Sequence, residues 1–144
     1  MPTTPVFGDS KSGIAIAVGL PMAMSPQRVL VVAPNHLVAD AVTRSLPEFE
    51  TVVRADFEGA RAELDQHPPD FLITELRLGQ YNGLHLAIRA NAHGYPVHTI
   101  IIGGPDKVLE ADAQREHAKY LVSPVDGAAL STIVREMLSH PEAA

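Results

Sequence analysis

The chain has 144 residues, 46% of them apolar and 19% charged, which suits one ordinary soluble domain and leaves little room for two. Eleven Lys and Arg against seventeen Asp and Glu give a formal charge of −6, so a sequence-independent grip on nucleic-acid phosphates is not its main work. The absence of cysteine removes disulfide frameworks, thiolate zinc sites, redox pairs and cysteine nucleophiles, and no apolar run reaches the roughly 20 residues of a membrane-spanning helix.

Residues 1–27 read as a flexible tail, because they hold four prolines, three glycines and only two charged residues. Their apolar stretch Gly13 to Met24 is interrupted by Pro21 and preceded only by Lys11 and Asp9, which argues against a secretory signal. From Arg28 the pattern turns regular and is expected to hold through residue 140, with residues 141–144 as a C-terminal tail. Arg28 to Ala33 (RVLVVA) is apolar on both faces, as in a strand buried on both sides. Leu37 to Leu46 follows with Val38, Ala41, Val42 and Leu46 at helical spacing, and Pro47 closes it.

Thr51 to Arg54 is a second strand, and Phe57, Ala60, Arg61 and Leu64 mark a helix that ends before Pro68 and Pro69. Phe71 to Glu75 (FLITE) is a third strand, aimed at the loop LRLGQYN. Asn82 is placed to cap the next helix, whose stripe is Leu84, Leu86, Ala87 and Ala90. Thr99 to Ile102 is a fourth strand ending in Gly103 and Gly104. The charged stretch from Pro105 to His117 predicts the least firmly packed helix, and Tyr120 to Val122 is a fifth strand. Leu130, Ile133, Val134, Met137 and Leu138 form the stripe of the last helix.

This alternation predicts an α/β fold: a doubly wound, five-stranded parallel sheet of flavodoxin-like order 2-1-3-4-5, with helices on both faces. Ligand chemistry in such a sheet belongs at the carboxyl ends of the strands. The loops there carry Ala33, Pro34, Asn35 and His36, then Glu75 to Asn82, then Gly103 to Pro105, then Ser123 and Pro124.

RVLVVAPN at the first strand, HPPDFLITELRLGQYNGL around the third and KYLVSPVD at the fifth resemble the receiver domain of two-component response regulators. The resemblance covers nearly all of residues 28 to 140 and is of a degenerate, pseudo-receiver type. It implies that the phosphoacceptor aspartate falls on Glu75 and the two magnesium-binding acids on Ala33 and Pro34. It also implies that the hydroxyl residue after the fourth strand falls on Gly103 and the phosphate-sensing lysine on Ser123. Pro124, Asn82, Gly83 and the aromatic switch residue, Tyr120, remain.

Magnesium is usually fixed by one or two carboxylates with substrate oxygens, and phosphoryl transfer relies on that cation and nearby positive groups. The crevice offers one carboxylate, so no catalytic residue, metal or cofactor is expected. Two alternatives stand for Glu75: a carboxylate reaching toward the phosphoryl position and imitating the phosphorylated state, or one that turns to solvent. Asn35 could supply a neutral oxygen if the loop is shifted by one residue, and His36 could approach Glu75. Arg77 has no inherited side-chain role.

Neither GxxxxGK[ST], GxGxxG nor GxSxG occurs, and none of the seven histidines has ligand spacing. Two functions therefore stand: a phosphorylation-independent cytoplasmic signalling module that binds a protein partner or itself, and a small-ligand-binding or weakly phosphate-responsive domain using the altered crevice. For the first, the expected surface is the face of helix 4, strand 5 and helix 5. With Gly103 lacking a side chain, the Tyr120 ring is expected to sit inward, its hydroxyl finding a partner at the rim.

Overall fold

Hydrophobic alternation along the first strand places Val29, Val31 and Ala33 on one face and Leu30 and Val32 on the other. All five are buried, so that strand must run through the middle of a sheet covered on both sides. The computed structural model, which describes residues 27–139, builds this arrangement. Its elements are β1 (Arg28–Val32), α1 (His36–Ser45), β2 (Glu50–Arg54), α2 (Phe57–Gln66), β3 (Phe71–Glu75), β4 (Arg77–Leu78), β5 (Tyr81–Asn82), α3 (Gly83–Ala92), β6 (His98–Gly103), α4 (Lys107–Arg115), β7 (Ala118–Val122) and α5 (Gly127–Ser139).

The main sheet is parallel and ordered β2-β1-β3-β6-β7, which is the flavodoxin-like order 2-1-3-4-5 of its five strands. One face packs Val29, Val31, Phe71, Ile73, Ile100 and Ile102 against Ala39 and Val42 of α1 and Leu130 and Val134 of α5. The other packs Leu30, Val32 and Leu72 against Ala60 and Leu64 of α2 and Leu86 and Ala90 of α3. A third cluster joins Leu76, Ala87, Ile101, Ala113 and Ala118 under α4. As the charged sequence of α4 implies, Ala113 is its one buried residue.

Several boundaries move. Helix α1 starts at His36, one residue early, because the Asn35 side chain accepts the Leu37 amide and caps it. The last sheet strand starts at Ala118 instead of Tyr120, since exposed Lys119 interrupts the apolar run without interrupting the ladder. The loop LRLGQYN contains the small antiparallel hairpin β4–β5, with Leu78 buried and Gly79 taking the positive φ of 68°.

Asn82 caps α3 as expected, and the His85 ring returns the favour by accepting the Asn82 amide. Gly83 is required by space: a Cβ there would stand 2.7 Å from the Glu75 carbonyl oxygen. On the α2 side, the Glu63 carboxylate holds Arg28 and Arg54 together at 3.0 and 3.1 Å. The tails assigned to residues 1–27 and 141–144 lie outside the described residues apart from Gln27, as does residue 140 of the folded segment.

Candidate functional site

The carboxyl ends of β3, β6 and β7, the loops after them and the first turns of α1 form the expected crevice, with a cavity of about 490 Å³. Glu75, Gly103, Ser123 and Pro124 line it, whereas Ala33 and Pro34 do not. Ala33 is buried in the core, and its amide donates to the Arg54 carbonyl at 3.0 Å, while Pro34 is exposed. The two positions that the resemblance gives to metal carboxylates thus present a methyl group and a pyrrolidine ring.

Glu75, half-buried at the end of β3, accepts the Asn35 amide at 3.2 Å. Its carboxylate therefore does not drift free in solvent; it ties β3 to the amino end of α1. Asn35 contributes this backbone group, because its side-chain oxygen is committed to the Leu37 amide. The shifted-loop ligand considered from sequence is not formed. No hydrogen bond or ion pair joins His36 to Glu75; His36 is exposed on the first turn of α1.

Gly103 and Tyr120 are the two residues that the structure links most directly. A Cβ built on Gly103 would lie 2.6 Å from the Tyr120 hydroxyl oxygen and 2.9 Å from Leu76 Cβ. The ring packs against the cluster of Leu76, Ala87, Ile101, Ala113 and Ala118, and its hydroxyl donates to the Gly104 carbonyl at 2.5 Å. Tyr120 thus occupies the space that a side chain at residue 103 would need. Ser123 is exposed, and its amide donates to the Gly103 carbonyl at 2.8 Å, which locks the β6 and β7 ends together without supplying a cation. The Ser123–Pro124 peptide bond is cis.

Burial lifts the Tyr120 phenol above its ordinary value of 10.0, with the Asp106 and Glu110 carboxylates adding to the rise and Arg77 opposing it. Tyr120 is therefore a neutral donor at physiological pH. A raised folded-state value means that the proton is held more tightly in the folded chain than in the unfolded one. The associated stability is complete below the ordinary value of 10.0 and is lost as pH rises through the folded-state value. Urea unfolding across the alkaline range should show a steeper loss of stability for the wild type than for Tyr120→Phe; parallel curves would contradict the assignment.

Among the described residues, no group of three or more His, Cys, Asp or Glu could hold a metal ion. The magnesium that receiver chemistry uses does not fit these residues: the lining carboxylates are Glu75 and Asp106, and Asp106 Oδ1 is engaged as the α4 cap by the Val108 and Leu109 amides. Sequence reading missed Asp106, the Asn35 amide and the apolar wall made by Leu37, Val38, Leu109 and Val125. For the wall a sign was present, since the Val38–Ala41–Val42 stripe begins in the first turn of α1, the turn nearest the strand ends.

No protein-family model matches the sequence, and no curated protein does. Solved structures do match. The response regulator receiver domain protein from Methanospirillum hungatei is 19% identical with a TM-score of 0.76, covering 82% of this chain and 98% of that one. A response regulator signal receiver domain from Bermanella marisrubri is 22% identical, with a TM-score of 0.70 over 79% of this chain and 99% of its own. A two-component response regulator from Clostridium difficile is 15% identical, with a TM-score of 0.72 over 79% and 97%. The fold is that of response regulator receiver domains. Among the described residues, no helix is long and apolar enough to cross a membrane.

Proposed function

We propose that this chain is a phosphorylation-independent signalling module that keeps the receiver fold and acts from the cytoplasm through protein contacts. One observation carries the reading: the Tyr120 hydroxyl stands where a side chain on residue 103 would begin, 2.6 Å from that Cβ position. In receivers the hydroxyl residue moves toward the phosphoryl group and vacates space for the aromatic ring. Here there is nothing to move, and the ring is in place without phosphorylation.

The loss of chemistry supports the same reading. Phosphoryl transfer needs charge neutralised on the equatorial oxygens by a metal and a cation. Ala33, Pro34 and Ser123 supply neither, and Glu75, with one oxygen on the Asn35 amide, is a single carboxylate that cannot fix the metal alone. The surface through which the module would act is the face of α4, β7 and α5, the same face as helix 4, strand 5 and helix 5. Val108 and Val122 on it are 70% and 50% exposed, apolar side chains that a protein partner or second copy could cover.

The test is intact mass after incubation with acetyl phosphate and magnesium chloride at neutral pH. Neither the wild type nor Glu75→Asp should gain a phosphoryl group, because residues that act as one catalytic unit do not contribute additively. An acyl phosphate on the wild-type chain would sink the proposal. So would a magnesium-dependent change in its spectrum.

A further inference from the structure

The crevice offers few groups for phosphate chemistry but encloses a sizeable cavity. At about 490 Å³ it falls within the roughly 300–1,000 Å³ range of small-molecule sites. Leu37, Val38 and Val42 of α1 line it, with Leu109 of α4 and Val125 and Leu130 toward α5. Leu37 is 67% exposed, so an apolar body entering the crevice covers surface that water now meets.

The polar groups of the lining select the ligand's charge. The carbonyls at the crevice floor are engaged: Ile102 accepts the Leu76 amide, Gly103 the Ser123 amide and Gly104 the Tyr120 hydroxyl. Asn35 and Asp106 already cap the helix amino ends beside the cavity, which leaves no ready cradle for an anion. What the lining offers is two carboxylates, Glu75 and Asp106, against one guanidinium, Arg77, on the exposed side of the β3–α3 loop. Among the described residues, Glu75 accepts one backbone amide and forms no ion pair. A negative, apolar-walled cavity rejects phosphates and carboxylates and accepts a cation with an apolar body.

We propose that this cavity binds a small amphipathic amine, its ammonium at Glu75 and its short aliphatic or single-ring body against Leu37, Val38 and Leu109. The inference goes beyond the protein-contact reading and does not depend on it. Amine binding is measured without a partner or a phosphoryl donor, so either can fail while the other stands.

The experiment is a magnetic-resonance titration of the isotope-labelled full chain with hexylamine, hexanol and hexanoate at neutral pH. Hexylamine should shift the amides of Val38, Gly104 and Leu109 saturably, about tenfold more tightly than hexanol, a difference of about 1.4 kcal/mol, with hexanoate weakest. The formal charge of −6 attracts any amine diffusely, so the site is read from the location of the shifts and from Glu75→Gln, which should reduce hexylamine to the level of hexanol. Gly104→Leu should weaken binding of both, because a Cβ at that lining residue meets nothing within 4 Å and bulk is added at the crevice without a backbone clash. Retained spectral dispersion in that variant separates blocking from unfolding. No saturable shift at the crevice, equal binding of the three probes, or an amine preference that survives Glu75→Gln would each overturn the proposal.

Discussion

Replacing Gly103 by alanine should destabilise the fold by about 1–3 kcal/mol, the usual cost of forcing extra volume into a packed site. The new Cβ would stand 2.6 Å from the Tyr120 hydroxyl oxygen, 2.9 Å from Leu76 Cβ and 3.0 Å from Leu76 Cδ2. Two responses are open to the chain, and both are costly. The Tyr120 ring can swing outward, giving up its bond to the Gly104 carbonyl and its packing on the cluster around Leu76. Alternatively Leu76 can shift, but its Cβ is fixed by a backbone whose amide donates to the Ile102 carbonyl at 2.7 Å.

Urea unfolding of a double-mutant cycle separates these responses. Tyr120→Phe alone loses the hydrogen bond, at about 1 kcal/mol. Combined with Gly103→Ala it removes the nearest of the three atoms in conflict and leaves those of Leu76, so the double variant should be more stable than the sum of the singles by about 0.5–1 kcal/mol. An additive cycle would mean that Tyr120 does not fill the Gly103 space. If the inward ring shapes the partner surface, Gly103→Ala also weakens association while Tyr120→Phe, which keeps the ring in place, does not. Gly103→Thr should behave as the alanine variant does in stability and still take no phosphoryl group, since the metal carboxylates remain absent at Ala33 and Pro34.

The strands and long helices were legible because their burial is periodic in the sequence. A run such as Arg28 to Ala33, apolar on both faces, can only lie in the interior of a covered sheet, and its end then locates the crevice. It was at that crevice that the resemblance to receiver domains placed residues 33, 34, 75, 103 and 123. The hairpin β4–β5 was not legible, since strands of two residues have no period to read. Backbone partners leave no trace in side-chain pattern either, so the Asn35 amide on Glu75 and the Gly104 carbonyl under Tyr120 needed coordinates. The apolar cavity wall was hidden for a third reason: a helical stripe marks the buried side of α1 without showing that its first turn overhangs the strand ends.

Glu63→Gln should lower stability by about 2–3 kcal/mol. Its side chain is 11% exposed and divides its oxygens between two strands: Arg28 of β1 at 3.0 Å and Arg54 of β2 at 3.1 Å. Arg28 also donates to the His67 carbonyl at 3.0 Å, so the same guanidinium fastens the carboxyl end of α2. Breaking a fully buried ion pair costs roughly 3–5 kcal/mol because one charge is left uncompensated. The cost here is smaller, since the Arg28 and Arg54 side chains are 27% and 40% exposed and can turn partly to water. Glutamine keeps the size and one acceptor oxygen, so it can hold one arginine and must abandon the other. The urea midpoint should fall at unchanged slope, and a loss below about 0.5 kcal/mol would place Glu63 with ordinary surface pairs. The clamp shares no partner with Gly103 or Tyr120 and joins β1, β2 and α2, while Gly103 ends β6 and Tyr120 lies in the middle of β7 at the other edge of the sheet. Glu63→Gln and Gly103→Ala should therefore add to within about 0.5 kcal/mol, and a larger coupling would reveal that the two edges of the sheet respond as one unit.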